Sequence, residues 1–264
     1  MRIVPKKSLG QNFLIDQDII NKIINLGGIK ENDIIMEIGP GTGNLTEKIV
    51  EKNPRELILI EKDFKLSNFL KEKFNTPKIK IINEDVLKFS FEEYKNKKII
   101  IFGNLPYNIS SQILIKWIRI NDLKNLCKKF ILMFQKEMAD RMSAKYNTKN
   151  YGRLSIYTSW KMNVEKIMDV NPSCFKPIPK VKSSVIILTP KDKIFDIQKP
   201  QNLEHITNIF FSNRRKMIKK PLRQLFNNFE LISKNLSLDL NLRPQNISQE
   251  TFFEICKKYE ELQK

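Results

Sequence analysis

The residues best suited to chemistry lie between positions 99 and 110. An apolar run, Ile99-Ile100-Ile101-Phe102, passes through Gly103 into Asn104-Leu105-Pro106-Tyr107. The run has strand character, so the tetrapeptide is expected at a strand's carboxyl end, where open α/β sheets bind their ligands. There Asn104 can present an amide oxygen to an exocyclic amine. The Leu105 carbonyl, held by the fixed φ of Pro106, can accept the amine's second proton. Tyr107 offers a flat face on which a base can stack. The same tetrapeptide also serves as a plain turn after a strand, and its neighbours decide between the two readings.

Upstream elements would have to position a second ligand beside it. Asp33 to Ile38 is a short apolar run that ends in Gly39-Pro40-Gly41-Thr42-Gly43, and Asn44 to Val50 then reads as helix. Strand, glycine loop and helix make a nucleotide-binding arrangement, since glycines admit close backbone approach and a helix start offers free N–H donors. A dinucleotide fingerprint is excluded, because its third glycine would fall at Asn44. The next strand, Leu57 to Ile60, ends in Glu61, placed to accept from ribose hydroxyls. A third, from Ile79, ends near Asp85, placed to accept from an adenine amine. Glu84 and Asp85 are adjacent and point to opposite faces of a strand, so they are not a catalytic carboxylate pair.

The rest of the chain supplies scaffold and charge. Residues 1–16 form a basic, polar arm without helical or strand period, and Asp16 can cap a helix from Gln17 to Leu26. Ser110 or Ser111 can cap a helix from Gln112 to Ile120. Lys129 to Phe134 reads as a fifth strand, Gln135 to Met142 as a helix, and Ser143 to Arg153 as a polar, basic loop. Ser155 to Trp160 and Ser183 to Leu188 read as the last strands, the second strongly β-branched. Between them Cys174 to Ser183 is stiffened by Pro177 and Pro179 and carries Phe175. A loop tucking that ring into the core and a loop presenting it to a base are both open. From Pro190 the character changes: Lys191 to Pro200 is a polar, basic linker. Helical periods follow at Leu203 to Ser212, Met217 to Phe229 and Gln249 to Leu262. Pro221 falls where the second of these should continue, which leaves its shape open. Arg214, Arg215, Lys216, Lys219, Lys220 and Arg223 form a basic cluster suited to phosphates.

Charge narrows the partners. Forty-seven Lys and Arg stand against 29 Asp and Glu, a net +18, the footprint of a protein that approaches polyphosphate. No apolar run reaches the ~18 residues of a membrane span. Cys127, Cys174 and Cys256 show no ligand-like spacing and read as reduced thiols. His205 is the only histidine, beside no plausible nucleophile. No secretory signal opens the chain, and the expectation is a cytoplasmic protein without a metal.

Asn104-Leu105-Pro106-Tyr107-Asn108-Ile109-Ser110 resembles the signature of the ribosomal RNA adenine dimethyltransferases. Glu37-x-Gly39-x-Gly41-x-Gly43 is similar to their S-adenosylmethionine motif. The resemblance runs from Gly10 to about Arg223, and it is closest to the small-subunit branch. It implies a Rossmann-like α/β methyltransferase domain over residues 1–190, with a small all-helical, rRNA-binding domain over 191–264. It implies S-adenosylmethionine held by Asn12, Leu14, Gly39, Gly41, Gly43, Glu61, Asp85 and Asn104. The target adenine would meet Asn104, Leu105, Pro106 and Tyr107, with Phe175 on its other face. RNA would be held by Lys6, Lys7, Lys136, Arg141, Arg153, Lys180 and Lys182 together with the basic cluster. The implied substrate is 16S rRNA in the small subunit, dimethylated at N6 of two adjacent adenosines by a monomer. A large-subunit dimethyltransferase, a binding factor without turnover and a DNA adenine methyltransferase remain the alternatives.

Overall fold

The computed structural model describes residues 5–6 and 9–263. The chain divides into two compact units, the first made of residues 1–139 and 165–190, the second of 140–164 and 191–264.

The first unit is built on a seven-stranded sheet. Its parallel strands are β2 (Ile34–Ile38), β3 (Glu56–Glu61), β4 (Ile79–Asn83), β5 (Ile99–Asn104) and β6 (Cys127–Gln135). β9 (Ser183–Pro190) joins β6 antiparallel, and β7 (Met162–Val170) closes the order β4-β3-β2-β5-β6-β9-β7. The inner strands are continuous apolar runs because both faces of the sheet are covered. α1 (Gln17–Gly27) starts where Asp16 accepts from the Ile19 N–H at 3.1 Å and stops at Gly28 in the left-handed conformation. It lays Ile20, Ile23 and Ile24 on Ile35, Ile100 and Phe102. It lies so close that a β-carbon on Gly27 would come within 2.4 Å of the Phe102 ring. Phe130, which alternates with Ile131 and so faces the other way, meets Trp117 of α4 (Ser110–Ile118) at 4.9 Å between centroids. The remaining elements of this unit are a short β1 (Phe13–Leu14), paired with β8 (Phe175–Lys176), and α2 (Asn44–Val50) and α3 (Phe64–Lys73). α5 (Leu123–Leu126) leads into β6, and α6 (Lys136–Met142) follows it. Sheet order reverses between β2 and β5, each flanked by a neighbour that continues away from the other. That switch point is where an α/β sheet opens a crevice.

The second unit is helical: α7 (Arg153–Lys161), α8 (Pro200–Ser212), α9 (Lys219–Leu225), α10 (Phe229–Asn235) and α11 (Gln249–Glu261). Phe210 and Phe211 meet Phe252 at 5.1 and 5.7 Å, and Phe195 meets Phe253 at 5.4 Å. Glu260 of α11 accepts from the backbone N–H groups of Gln198 and Lys199 and from the Asn202 amide, at 2.8, 2.9 and 2.9 Å. This carboxylate ties down the backbone just ahead of α8, which has no side-chain cap of its own.

Three expectations are corrected. Residues 155–160 are helix rather than strand, and the strand follows at 162–170. All seven residues from Ser155 to Lys161 are buried, so no apolar period distinguishes helix from strand there, and the Thr-Ser-Trp composition misleads. With their helix, residues 140–164 fall in the second unit rather than the first. Residues 217–229 form not one helix but α9 followed by the start of α10. Pro221 is the third residue of α9, in a first turn whose N–H groups have no intrahelical acceptor, so it is tolerated.

Candidate active site

A cleft opens at the carboxyl ends of β2, β3 and β5. Its walls include Gly10 to Leu14, Glu37 to Thr42, Glu61, Lys62, Glu84, Asp85 and Gly103 to Ile109. The sequence-expected cofactor and base residues thus come together in one place, with two exceptions. Gly43 lies behind the loop, where a β-carbon would clash with the Phe74 ring at 2.8 Å, so it serves packing and the start of α2. Phe175 is 1% exposed in the cluster around Ile20, Ile24 and Leu14, its backbone paired with Leu14. The ring completes the core beneath β1 instead of facing the cleft. Of the two readings open in the sequence, the buried one is realised.

The glycine loop is shaped for a ligand on one side and for the arm on the other. Gly39 has φ +67°, and the nearest atom to a β-carbon built there is 4.0 Å away, so it leaves room in the cleft. At Gly41, φ +59°, a β-carbon would sit 2.7 Å from the Phe13 ring. Only glycine lets the arm lie down there.

The acidic groups are held by different donors. Glu61 accepts from Gly41 N–H at 3.2 Å with one oxygen and from Asp63 N–H at 2.8 Å with the other. Burial nevertheless pushes its pKa up, the N–H donors opposing. Glu37 is 2% exposed and accepts from the Thr46 hydroxyl at 2.7 Å; burial, with Glu61 adding to it, pushes its pKa up to about 8. Asp85 behaves oppositely. Burial acts to raise its pKa, but Lys62 at 2.7 Å and the Leu87 N–H outweigh it and hold the carboxyl below its ordinary value. Lys62 carries no mark of this role in the sequence, since a charge beside a strand end looks like surface until the register is known.

The arm is stitched over this cleft. Asn104 donates its amide N–H to the Asn12 carbonyl at 2.7 Å, and Asn44 donates to the Leu14 carbonyl at 2.6 Å. Lys6 and Gln11 both reach Asp63, at 2.8 and 3.3 Å. Lys6, expected on RNA, is therefore ion-paired within the protein; Lys7 lies outside the described residues. Tyr107 is half-buried, its hydroxyl 2.5 Å from that of the fully buried Ser183. Behind the cleft Lys116 of α4 donates to the Val86, Leu87 and Phe89 carbonyls at 2.9, 2.9 and 2.6 Å, bracing the loop that carries Asp85.

A family model for ribosomal RNA adenine dimethylases matches residues 4–261. The chain belongs to that family. It is 50% identical over 262 residues to the ribosomal RNA small subunit methyltransferase A of Pelagibacter ubique, covering 99% of both chains. It is 42% identical to that of Ehrlichia ruminantium, covering 96% and 97%. A dimethyladenosine transferase from Plasmodium falciparum superposes with a TM-score of 0.79 at 28% identity, over 94% of this chain and 98% of that one. The methyl donor of this dimethylase is S-adenosylmethionine. The cleft fits it: Glu61 can take ribose hydroxyls on its remaining lone pairs, Asp85 can take the adenine amine, and the open side of Gly39 admits the amino-acid end.

The expected RNA residues divide. Arg141, Arg153, Lys180, Lys182, Arg215, Lys216, Lys219, Lys220 and Arg223 are exposed. Lys136 is paired with Asp169 at 2.5 Å. Arg214 donates to the Gln245 side chain at 3.1 Å and the Thr148 carbonyl at 3.2 Å, so it is a brace inside the second unit.

Proposed function

We propose that this dimethylase transfers methyl groups from S-adenosylmethionine to N6 of two adjacent adenosines in the 3′-terminal hairpin of 16S rRNA, within the small ribosomal subunit or its assembly intermediate. The observation that carries the reading is the placement of Asn104. Its amide nitrogen is spent on the Asn12 carbonyl, which leaves its oxygen to accept in a cleft also lined by Glu61 and Asp85.

The target adenine leaves its stack and lies on the Tyr107 ring, whose hydroxyl Ser183 anchors. Asn104 Oδ1 and the Leu105 carbonyl accept the two N6 protons. Pro106 keeps Leu105 extended, so its carbonyl holds its direction. With both protons drawn toward fixed acceptors, the nitrogen lone pair is withdrawn from the ring and the developing positive charge is stabilised. Bound S-adenosylmethionine supplies the electrophilic methyl. Once methylated, the nitrogen sheds one of its two protons to water and the demethylated cofactor departs; the monomethyl amine that remains carries a single proton and a lone pair, so one of the two acceptors serves the second transfer.

Exposed Lys180 and Lys182 in the first unit, and Arg215, Lys216, Lys219 and Lys220 in the second, are suited to rRNA phosphates. The test is methyl transfer from labelled S-adenosylmethionine to small subunits lacking the modification, with large subunits, naked rRNA and duplex DNA alongside. N6,N6-dimethyladenosine in small-subunit RNA is the expected product. Label only in large-subunit RNA or DNA, or tight subunit binding with no label, would overturn the reading.

A further inference from the structure

The Asn104 side chain has two polar atoms and two different tasks. One of them faces the Asn12 carbonyl at 2.7 Å. A carbonyl oxygen only accepts, so the atom facing it must be the amide nitrogen, and Oδ1 is left as the side chain's only acceptor. We propose that the Asn12 backbone carbonyl is a positioning group for methyl transfer: it sets the orientation of Asn104, and it is the reason an amide rather than a carboxylate works at position 104. The proposal deepens the functional reading above and rests on it for the role of Oδ1.

The carbonyl cannot turn away, because the arm is fixed on both sides of it. On one side Gln11 reaches Asp63 at 3.3 Å and the Asn12 amide reaches the Gly10 carbonyl at 3.3 Å. On the other, Asn44 holds the Leu14 carbonyl, Phe13 and Leu14 pair with Lys176 and Phe175, and the Phe13 ring fills the space over Gly41. A carboxylate at 104 would set a charged oxygen against this carbonyl with no proton between them. It would have to swing away and lose its aim, or take up a proton. Protonated, it reproduces the asparagine pattern: O–H donates to Asn12, and the remaining oxygen accepts from the amine. The titratable groups lining the cleft are Glu37 of β2, Glu61 and Lys62 at the end of β3, Glu84 and Asp85 after β4, and Tyr107 on the loop of Asn104 itself. Lys62 is engaged by Asp85, so the net effect of the neighbours is to favour the protonated acid.

The experiment is Asn104→Asp, with turnover measured against the wild type from about pH 5.5 to about pH 8.5 at saturating S-adenosylmethionine. At the alkaline end the variant should be slower by about 10² to 10³, the loss typical of one misdirected polar group. As pH falls, the ratio of variant to wild-type turnover should rise by about tenfold or more as the acid takes up its proton. A ratio that is flat, that rises with pH, or that is undetectable throughout would overturn the proposal. Failure of the wild type to methylate would instead count against the functional reading. A ¹⁵N spectrum of the wild type judges the positioning separately. The Asn104 side-chain NH₂, identified by its loss in the variant, should show one proton protected from solvent exchange, and two freely exchanging protons would overturn it.

Discussion

At residue scale the cleft uses its carboxyls in opposite ways. Asp85 is held ionised by Lys62, whereas Glu61 and Glu37 have pKa values raised by burial. Glu61 accepts best when ionised, so affinity for S-adenosylmethionine should weaken on acidification, beginning above the ordinary carboxylate range. Isothermal titration should show that dependence flattened in Glu61→Gln, with affinity about 10- to 100-fold lower, as for loss of a charged hydrogen bond. Glu37 bears on stability. A raised pKa means that the folded state binds the proton more tightly than the unfolded chain. Its stabilising contribution is therefore complete below the unfolded value of 4.5 and is lost as pH rises through about 8. Thermal melts of Glu37→Gln should lose this alkaline decline, and a decline as steep as the wild type's would refute the assignment. Asn104→Ala should bind the cofactor normally yet turn over about 10² to 10³ more slowly, and near-normal single-turnover rates would remove Asn104 from the chemistry.

At the scale of elements, the arm and the glycine loop fit each other through a missing atom. Gly41→Ala places a methyl 2.7 Å from the Phe13 ring and an L-residue at φ +59°. It should lift the arm and weaken cofactor binding by about tenfold or more, given ~1 to 2 kcal/mol for the left-handed backbone alone. Lys116→Met should raise the KM for S-adenosylmethionine with little change in kcat, because the loop of Asp85 loses its three-carbonyl brace. The strands from Ile34 to Phe134 were legible as apolar runs bounded by turn residues, and with them the positions of Glu61, Asp85 and Asn104. What was not legible was tertiary. Phe175 carries the same local pattern whether it faces a base or the core, and pairing of β8 with β1 decides for the core. Ser155 to Lys161 is buried all round, so its helix left no stripe to read. The Asn104–Asn12 bond spans 92 residues and leaves no local trace.

At the scale of the whole molecule, +18 should show itself in salt dependence. Replacing exposed Lys219, Lys220 and Arg223 by Gln should reduce the slope of log affinity for rRNA against log salt by about 0.7 to 0.9 per lost phosphate contact, with cofactor affinity unchanged. Arg214→Ala should instead leave that slope nearly intact and lower the melting temperature, since its partners are Gln245 and Thr148. The sequence showed the charge and the change of character after Pro190. It did not show that residues 140–164 fold with the tail, because α7 lies far from α8 and α11 along the chain and is packed with them in space. That arrangement has a genetic consequence. A tail exchanged between two relatives at the obvious seam after Pro190 would arrive without the helix it was selected to fit, and would leave Ile156, Tyr157 and Trp160 behind without their cover. Recombination can move this helical body as a module only if it carries two separate stretches of the gene together.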